Sequence, residues 1–338
     1  GNVLPDTFKG LFFTIIISVV ISYVLISIFQ NLKGHAKLFL LIAVLLLLYS
    51  VGKMLHLSSL IIILIFGCTK SDSDENLSKE GSGNFEYFEG LSSYNLQHGG
   101  LNREYLLYIP PNIQSRTNLP VIFNFHGYSG QADQFYSMSD LVDVANENGV
   151  VLVYPQGALL PGGSTHWNAA PKRDGSTSFI NKSNVDDIGF FSAMLDEINR
   201  NNILDLNRVY AIGYSNGGMF SHFLACNTDN IFAAIGDVAG TMLFDTFNTC
   251  NPSSPTPLLK IHGTSDPIVA YNGFDQQGFK TVDEVVNFWK LNNNSNDSFI
   301  FNSMVSTSWA NYMGPVDFEK YTYESDLNGP SVVHYKML

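Results

Sequence analysis

Positive charge is scarce in this sequence. Its 338 residues carry 18 Lys and Arg against 30 Asp and Glu, a formal net charge of −12. Binding a phosphate backbone needs a basic face, so the charge balance argues against a nucleic-acid partner; the acidity reads as solubility. Cysteine is scarcer still, with only Cys68, Cys226 and Cys250. No group of His and Cys has the spacing of a zinc site, so no metal is expected; no cofactor is expected either. Methionine is missing from the first 53 residues and begins at Met54. No internal repeat is visible.

What the N-terminal region has instead is apolar length. Leu11 to Phe29 is long enough for one membrane span, and Leu38 to Val51 is a shorter second run. Leu55 to Phe66 is too short to span and is closer to a signal-peptide core. It ends in Leu64-Ile65-Phe66-Gly67-Cys68, followed by the acidic, polar Thr69 to Glu75. This order resembles a bacterial lipoprotein signal, in which the cysteine receives lipid. Attached acyl chains bury enough methylene to hold a soluble domain on a membrane. The late first methionine suggests that translation starts near Met54, with residues 1–53 an upstream extension; the rival is a two-span membrane anchor. Four parts follow: residues 1–53, a signal at 54–67, a flexible linker at 68–84 with little to bury, and a globular part at 85–338.

The globular part alternates strand and helix signals. Strands are expected at Arg103–Ile109, Leu119–Phe125, Val150–Tyr154, Val209–Ile212, Phe232–Val238 and Leu258–Ile261, with a final pair at Glu319–Tyr323 and Val332–Met337. Helices are expected over Phe135–Asn148, Asp186–Asn202, Met219–Ala225 and Thr281–Asn292. Apolar strands alternating with helices mean a mostly parallel sheet covered on both faces, an α/β fold. A Gly/Ser/Pro-rich stretch from Gly157 to Asn184 contains Trp167. It is either one wall of a substrate cleft or an ordinary surface loop.

The chemistry centres on Gly213-Tyr214-Ser215-Asn216-Gly217, which fits G-x-S-x-G between an apolar strand and a helix. Such a corner holds its serine in a strained conformation, and glycines two residues to either side remove colliding side chains. The helix N-terminus then points its amides to where an oxyanion would form. A serine nucleophile needs a base, and the base needs an orienting carboxylate. In the order Ser, acid, His, the acid is Asp266, in the turn after Leu258–Ile261; the alternative is an aspartate that caps the turn. The oxyanion donors are the backbone N–H groups of Asn216 and Tyr128. His126 reads as a brace of the Tyr128 loop rather than a base.

Four segments together resemble the polyhydroxybutyrate depolymerase/feruloyl esterase family of α/β-hydrolases. They are Phe125-His126-Gly127, Asp187-Ile188-Gly189-Phe190, Gly213 to Met219, and His262-Gly263-Thr264-Ser265-Asp266-Pro267. The resemblance covers about residues 100–338. It implies an α/β-hydrolase fold and a secreted esterase with a Ser-Asp-His triad, acting on polymeric or plant-cell-wall esters. Cys226 and Cys250 already suggest a disulfide, with two buried thiols as the alternative; the family carries cysteines at matching positions, which favours the disulfide. One departure concerns the histidine, which the family places in a Gly-rich loop after the last strand. The only histidine after Asp266 is His334, inside the strand Val332–Met337 and poorly placed to swing between serine and carboxylate. The base is therefore expected beyond Leu338. The resulting expectation is a membrane-tethered, extracytoplasmic serine esterase; the alternative is a non-catalytic lipoprotein that binds polymer or glycan in the same cleft.

Overall fold

The computed structural model describes residues 85–111, 117–171, 183–297, 299–306, 316–324 and 331–338. The chain divides into units 1–77 and 78–338, and every described residue lies in the second. The N-terminal apolar runs, the signal-like segment with Cys68 and the linker lie outside the described residues.

Strand β1 (Gly90–His98) pairs antiparallel with β2 (Leu101–Ile109). Gly99 and Gly100 join them with φ of 59° and 77°. A two-residue hairpin asks for successive left-handed residues, which glycine adopts without strain. Next come β3 (Leu119–Phe125), α1 (Ala132–Ser139) and α2 (Val142–Asn148). The single helix expected over 135–148 is thus two, because Asp140 turns left-handed (φ 53°) and ends the first. Strand β4 (Val151–Pro155) is followed by a small separate pair, β5 (Ala158–Leu159) and β6 (Thr165–His166). Helix α3 (Asp187–Ile198) starts on Asp186, whose carboxylate accepts from the Gly189 amide at 2.8 Å. It tightens into a 3-10 turn over Asn199–Asn201 where an α-helix was expected to continue.

The second half runs β7 (Leu204–Tyr214), α4 (Asn216–Asn227), β8 (Phe232–Val238), α5 (Phe244–Thr249) and β9 (Leu258–Gly263). Helix α6 (Val282–Asn292) opens with a capping box: Glu284 N–H donates to Thr281 Oγ1 at 3.0 Å, and Thr281 N–H donates to Glu284 Oε2 at 2.9 Å. Strands β10 (Ile300–Ser306), β11 (Val316–Tyr323) and β12 (Val332–Met337) complete the order.

Ten of the described strands form one sheet, ordered β1-β2-β4-β3-β7-β8-β9-β12-β11-β10. From β4 to β12 neighbouring strands are parallel, and antiparallel strands flank both sides. Burial on both faces explains the continuous apolar runs of the central strands. Along β4, Val151 and Val153 join Phe190, Phe191 and Phe220 of α3 and α4 in one core. Leu152 and Tyr154 point the other way, into a second core with Ala132 of α1 and Ala145 of α2. Each large side chain taken fully out of water, such as Phe123 or Phe191, contributes roughly 2–3 kcal/mol. The consequence for function is positional: β7, β8 and β9 are adjacent and parallel, so the segments that follow their carboxyl ends gather at one edge of the sheet.

Candidate active site

Ser215 alone makes the corner between β7 and α4, with φ 54° and ψ −117°. Residues with a side chain avoid this region, at a cost of about 1–3 kcal/mol. The flanking glycines are sterically required. A Cβ on Gly213 would run into the Gly217 carbonyl, and a Cβ on Gly217 into that of Phe125. The corner is held from the neighbouring strand, since Ser215 N–H donates to Val238 O at 2.8 Å.

The loop after β3 lies against the serine. A Cβ on Gly127 would come within 3.4 Å of Ser215 Cβ and 3.0 Å of Tyr214 Cδ1. Tyr128, one residue on, is 45% exposed. His126 braces this loop with both ring nitrogens. Nδ1–H donates to Gly127 O at 2.7 Å, and Nε2 accepts from Gly157 N–H at 2.9 Å. Burial lowers its pKa, in keeping with a neutral ring.

Asn216 is the first residue of α4, where no helical carbonyl can reach its N–H. Its side chain is committed elsewhere: Oδ1 accepts from Trp167 N–H at 2.8 Å and Nδ2 donates to Trp167 O at 3.1 Å. Trp167 itself is buried, while Asn168, Ala170, Ser183 and Asn184 of the same stretch line a surface pocket with Asp186 and Phe223. The Trp167 indole stacks on Phe220 (5.3 Å between centroids) and donates to His126 O at 2.9 Å. The ring therefore packs the back of the site.

Asp266 sits in the turn after β9. Its Oδ1 accepts from the amides of Ile268 (2.8 Å) and Val269 (2.9 Å), so it does cap the turn. Its Oδ2 lies 3.6 Å from His262 Nε2. Oδ1 alone makes the cap, and Oδ2 is turned toward His262.

His334 lies inside β12, aligned with Tyr321 of β11 and Lys260 of β9. Its ring stacks on Tyr271, and burial pushes its pKa down to about 4. Among the described residues no histidine hydrogen-bonds the Ser215 hydroxyl; His98, His166, His222 and His262 are engaged elsewhere.

Two buried arrangements escaped the sequence reading. In the first, Arg103 Nη2 donates to Asp187 Oδ1 at 2.9 Å, and Asp187 Oδ2 accepts from Asn168 N–H at 2.9 Å, tying β2 and α3 to the Trp167 segment. Burial raises the Asp187 pKa against the pull of Arg103. In the second, Lys260 and Asp237 pair at 2.9 Å with both side chains fully buried. The visible signal was Lys260 within the apolar run of β9, since a buried charge requires a partner. Cys226, near the end of α4, is joined by a disulfide to Cys250, just after α5.

This fold and corner define the class: an α/β-hydrolase with a serine at the strand-to-helix elbow. Residues 103–292, more than half of the chain, match the family described as Esterase PHB depolymerase, and the chain belongs to that family. Feruloyl esterase B of Piromyces equi is 29% identical over 173 residues, 51% of this chain and 30% of that protein. A bifunctional acetylxylan esterase/xylanase of Neocallimastix patriciarum is 26% identical over 172 residues, 51% of this chain and 22% of that protein. The chain thus spans less than a third of the length of either relative. An acetyl xylan esterase from Aspergillus awamori superposes with a TM-score of 0.50 at 14% identity, covering 72% of this chain and 92% of that one; this likeness concerns the fold. Among the described residues no helix is long and apolar enough to cross a membrane.

Proposed function

We propose that this protein is a serine esterase that hydrolyses carboxylic esters carried on polymers, with feruloyl and acetyl esters of plant cell walls and polyhydroxybutyrate as the substrate classes. The observation that carries the reading is the backbone of Ser215, with φ 54° and ψ −117° at the end of β7. A strained serine between two obligatory glycines is costly to hold and presents its hydroxyl over the sheet edge.

In the reaction, Ser215 Oγ attacks the ester carbonyl while a histidine takes its proton. Asp266 Oδ2 orients that histidine, and the N–H groups of Asn216 and Tyr128 stabilise the oxyanion. The histidine returns the proton to the departing alcohol. Water, deprotonated by the same histidine, then attacks the acyl-serine, and the acid leaves with Ser215 restored. The residue supplying the imidazole belongs, by resemblance, to a segment following β12.

The lipoprotein-like order Leu64 to Cys68 supports an extracytoplasmic protein tethered through lipid on Cys68. Metabolic labelling with a fatty acid tests this: label should enter the native protein and be absent from Cys68→Ser.

The enzymatic test is hydrolysis of p-nitrophenyl acetate and methyl ferulate by the full-length gene product. Ser215→Ala should abolish it. Activity that survives the substitution overturns the assignment, and an inert native protein would instead favour a polymer-binding role for the cleft.

A further inference from the structure

The buried pair Asp237–Lys260 reaches the Ser215 corner through Gly240, and its hydrogen bonds fix the protons around it. Trp289 Nε1–H can only donate, and it donates to His222 Nδ1 at 3.0 Å. His222 must then carry its proton on Nε2, from which it donates to Asp237 Oδ2 at 2.9 Å. On the other side, Val269 O can only accept, so His262 Nε2 carries a proton and donates to it at 2.7 Å. His262 Nδ1 is therefore an acceptor, and it receives a proton from Lys260 Nζ at 2.8 Å. The ammonium's other two protons go to Asp237 Oδ2 and Gly240 O, each at 2.9 Å. Three donors meet three acceptors. Burial pulls the Lys260 pKa down, and the Asp237 carboxylate opposes that pull.

Both ends of this network reach the candidate site. Gly240 is held by both main-chain groups, because its N–H donates to Asp237 Oδ1 at 2.8 Å while its O accepts from Lys260. It packs against the serine: a Cβ there would come 2.7 Å from Ser215 O. At the far end, His262 holds Val269 O, and Val269 N–H in turn donates to Asp266 Oδ1 at 2.9 Å. One ammonium thus links the backbone behind the nucleophile to the loop that carries the acid.

We propose that Lys260 and His262 are positioning residues for ester hydrolysis, holding the Ser215 corner and the Asp266 loop at a fixed mutual geometry. The proposal rests on the esterase reading above. Both side chains are buried away from solvent, so the loss of either should appear in kcat and leave KM alone, as misplacement of reacting groups does.

Lys260→Met leaves Asp237 buried without its cation and endangers folding, so the deciding variants are at His262. Phe fills the space and severs the link to Val269; Gln can accept from Lys260 and donate to Val269 O. In the full-length protein, His262→Phe should lower kcat by about tenfold or more with KM within about twofold, and His262→Gln should restore most of it. Hydrogen exchange read by NMR supplies a measure independent of catalysis. The amides of Ile268 and Val269 should lose protection in His262→Phe and regain it in His262→Gln. An unchanged kcat in His262→Phe overturns positioning. If hydrolysis proves independent of Ser215, the esterase reading fails and the catalytic role proposed here fails with it; the exchange data then decide the clamp itself, and equal protection in all three proteins would refute that too.

Discussion

The Asn216 carboxamide closes on both main-chain groups of Trp167, at 2.8 and 3.1 Å, and so fastens the start of α4 to the segment beneath it. This separates two functions of one residue. The amide proposed to hold the oxyanion belongs to the backbone, and the side chain serves the fold. Asn216→Ala should therefore keep the donor and lose the clasp, leaving two part-buried groups unpaired at a cost of about 1–3 kcal/mol. Urea unfolding should show the loss in the midpoint. Ester hydrolysis below the unfolding range should fall less than about tenfold; a fall of 10²–10³ would mean that the side chain itself stabilises the transition state.

The elbow makes a sharper steric prediction. Gly217 faces the carbonyl of Phe125, which belongs to β3 and cannot withdraw without disturbing its pairing with β7. Gly217→Ala should cost ~3 kcal/mol or more, in the range of severe overpacking. Far-ultraviolet circular dichroism with urea titration reads this directly. A variant as stable as the native protein would mean that the corner has more room than its backbone indicates.

Reading the sequence worked where local chemistry dictates structure. G-x-S-x-G between an apolar strand and a helix located Ser215, and the central strands announced themselves as unbroken apolar runs. Strand β1 of the edge hairpin was not expected, because its residues alternate only between partly buried and exposed and none is fully buried. The burial of Trp167 was not legible for a different reason. The residue lies in a glycine-rich stretch that reads as a loop, but its burial is decided by Phe220 and His126, which are distant in sequence. The surroundings of Lys260 were equally out of reach: Asp237 meets it only through the order of the strands, and His222 and Trp289 extend the network from Asp237 only through the packing of α4 and α6. Asp266 stood between two readings, cap or acid. The structure gives one oxygen to the cap and leaves the other facing His262.

The disulfide joins α4 to the end of α5, with 24 residues of sequence separation. Closing a loop of that length removes denatured-chain entropy worth roughly 3 kcal/mol. Because α4 begins at Asn216, the bond also anchors the far end of the helix that follows Ser215. Replacing both cysteines with alanine should lower the urea midpoint accordingly, and adding reductant should lower the native protein's midpoint and leave the variant's unchanged. Equal sensitivity to reductant in the two would show that the bridge carries no stability.

The protein should weaken as the pH falls below about 6.5, and His334 should account for a measurable part of this. Burial lowers its pKa from 6.5 to about 4, with Lys260, Lys336 and His262 adding to the effect and Asp283 opposing it. Above 6.5 the ring is neutral in both folded and unfolded chains and exerts no pH dependence. As the pH falls through 6.5 the unfolded chain takes up the proton first, so stability declines until the folded pKa is reached, by roughly 3 kcal/mol in all. His126 and His262 are shifted the same way, by burial foremost, and add to the decline. His334→Phe keeps a ring between Tyr271 and Tyr321 and removes an Nε2 that has no partner among the described residues. Between pH 6.5 and 4 the variant should lose less stability than the native protein, as read by urea midpoints across that range. It should also retain ester hydrolysis at neutral pH if, as proposed, the base for Ser215 is not this ring stacked inside β12. Loss of hydrolysis in a variant that remains folded would instead make His334 the proton acceptor, and would require β12 to rearrange during the reaction.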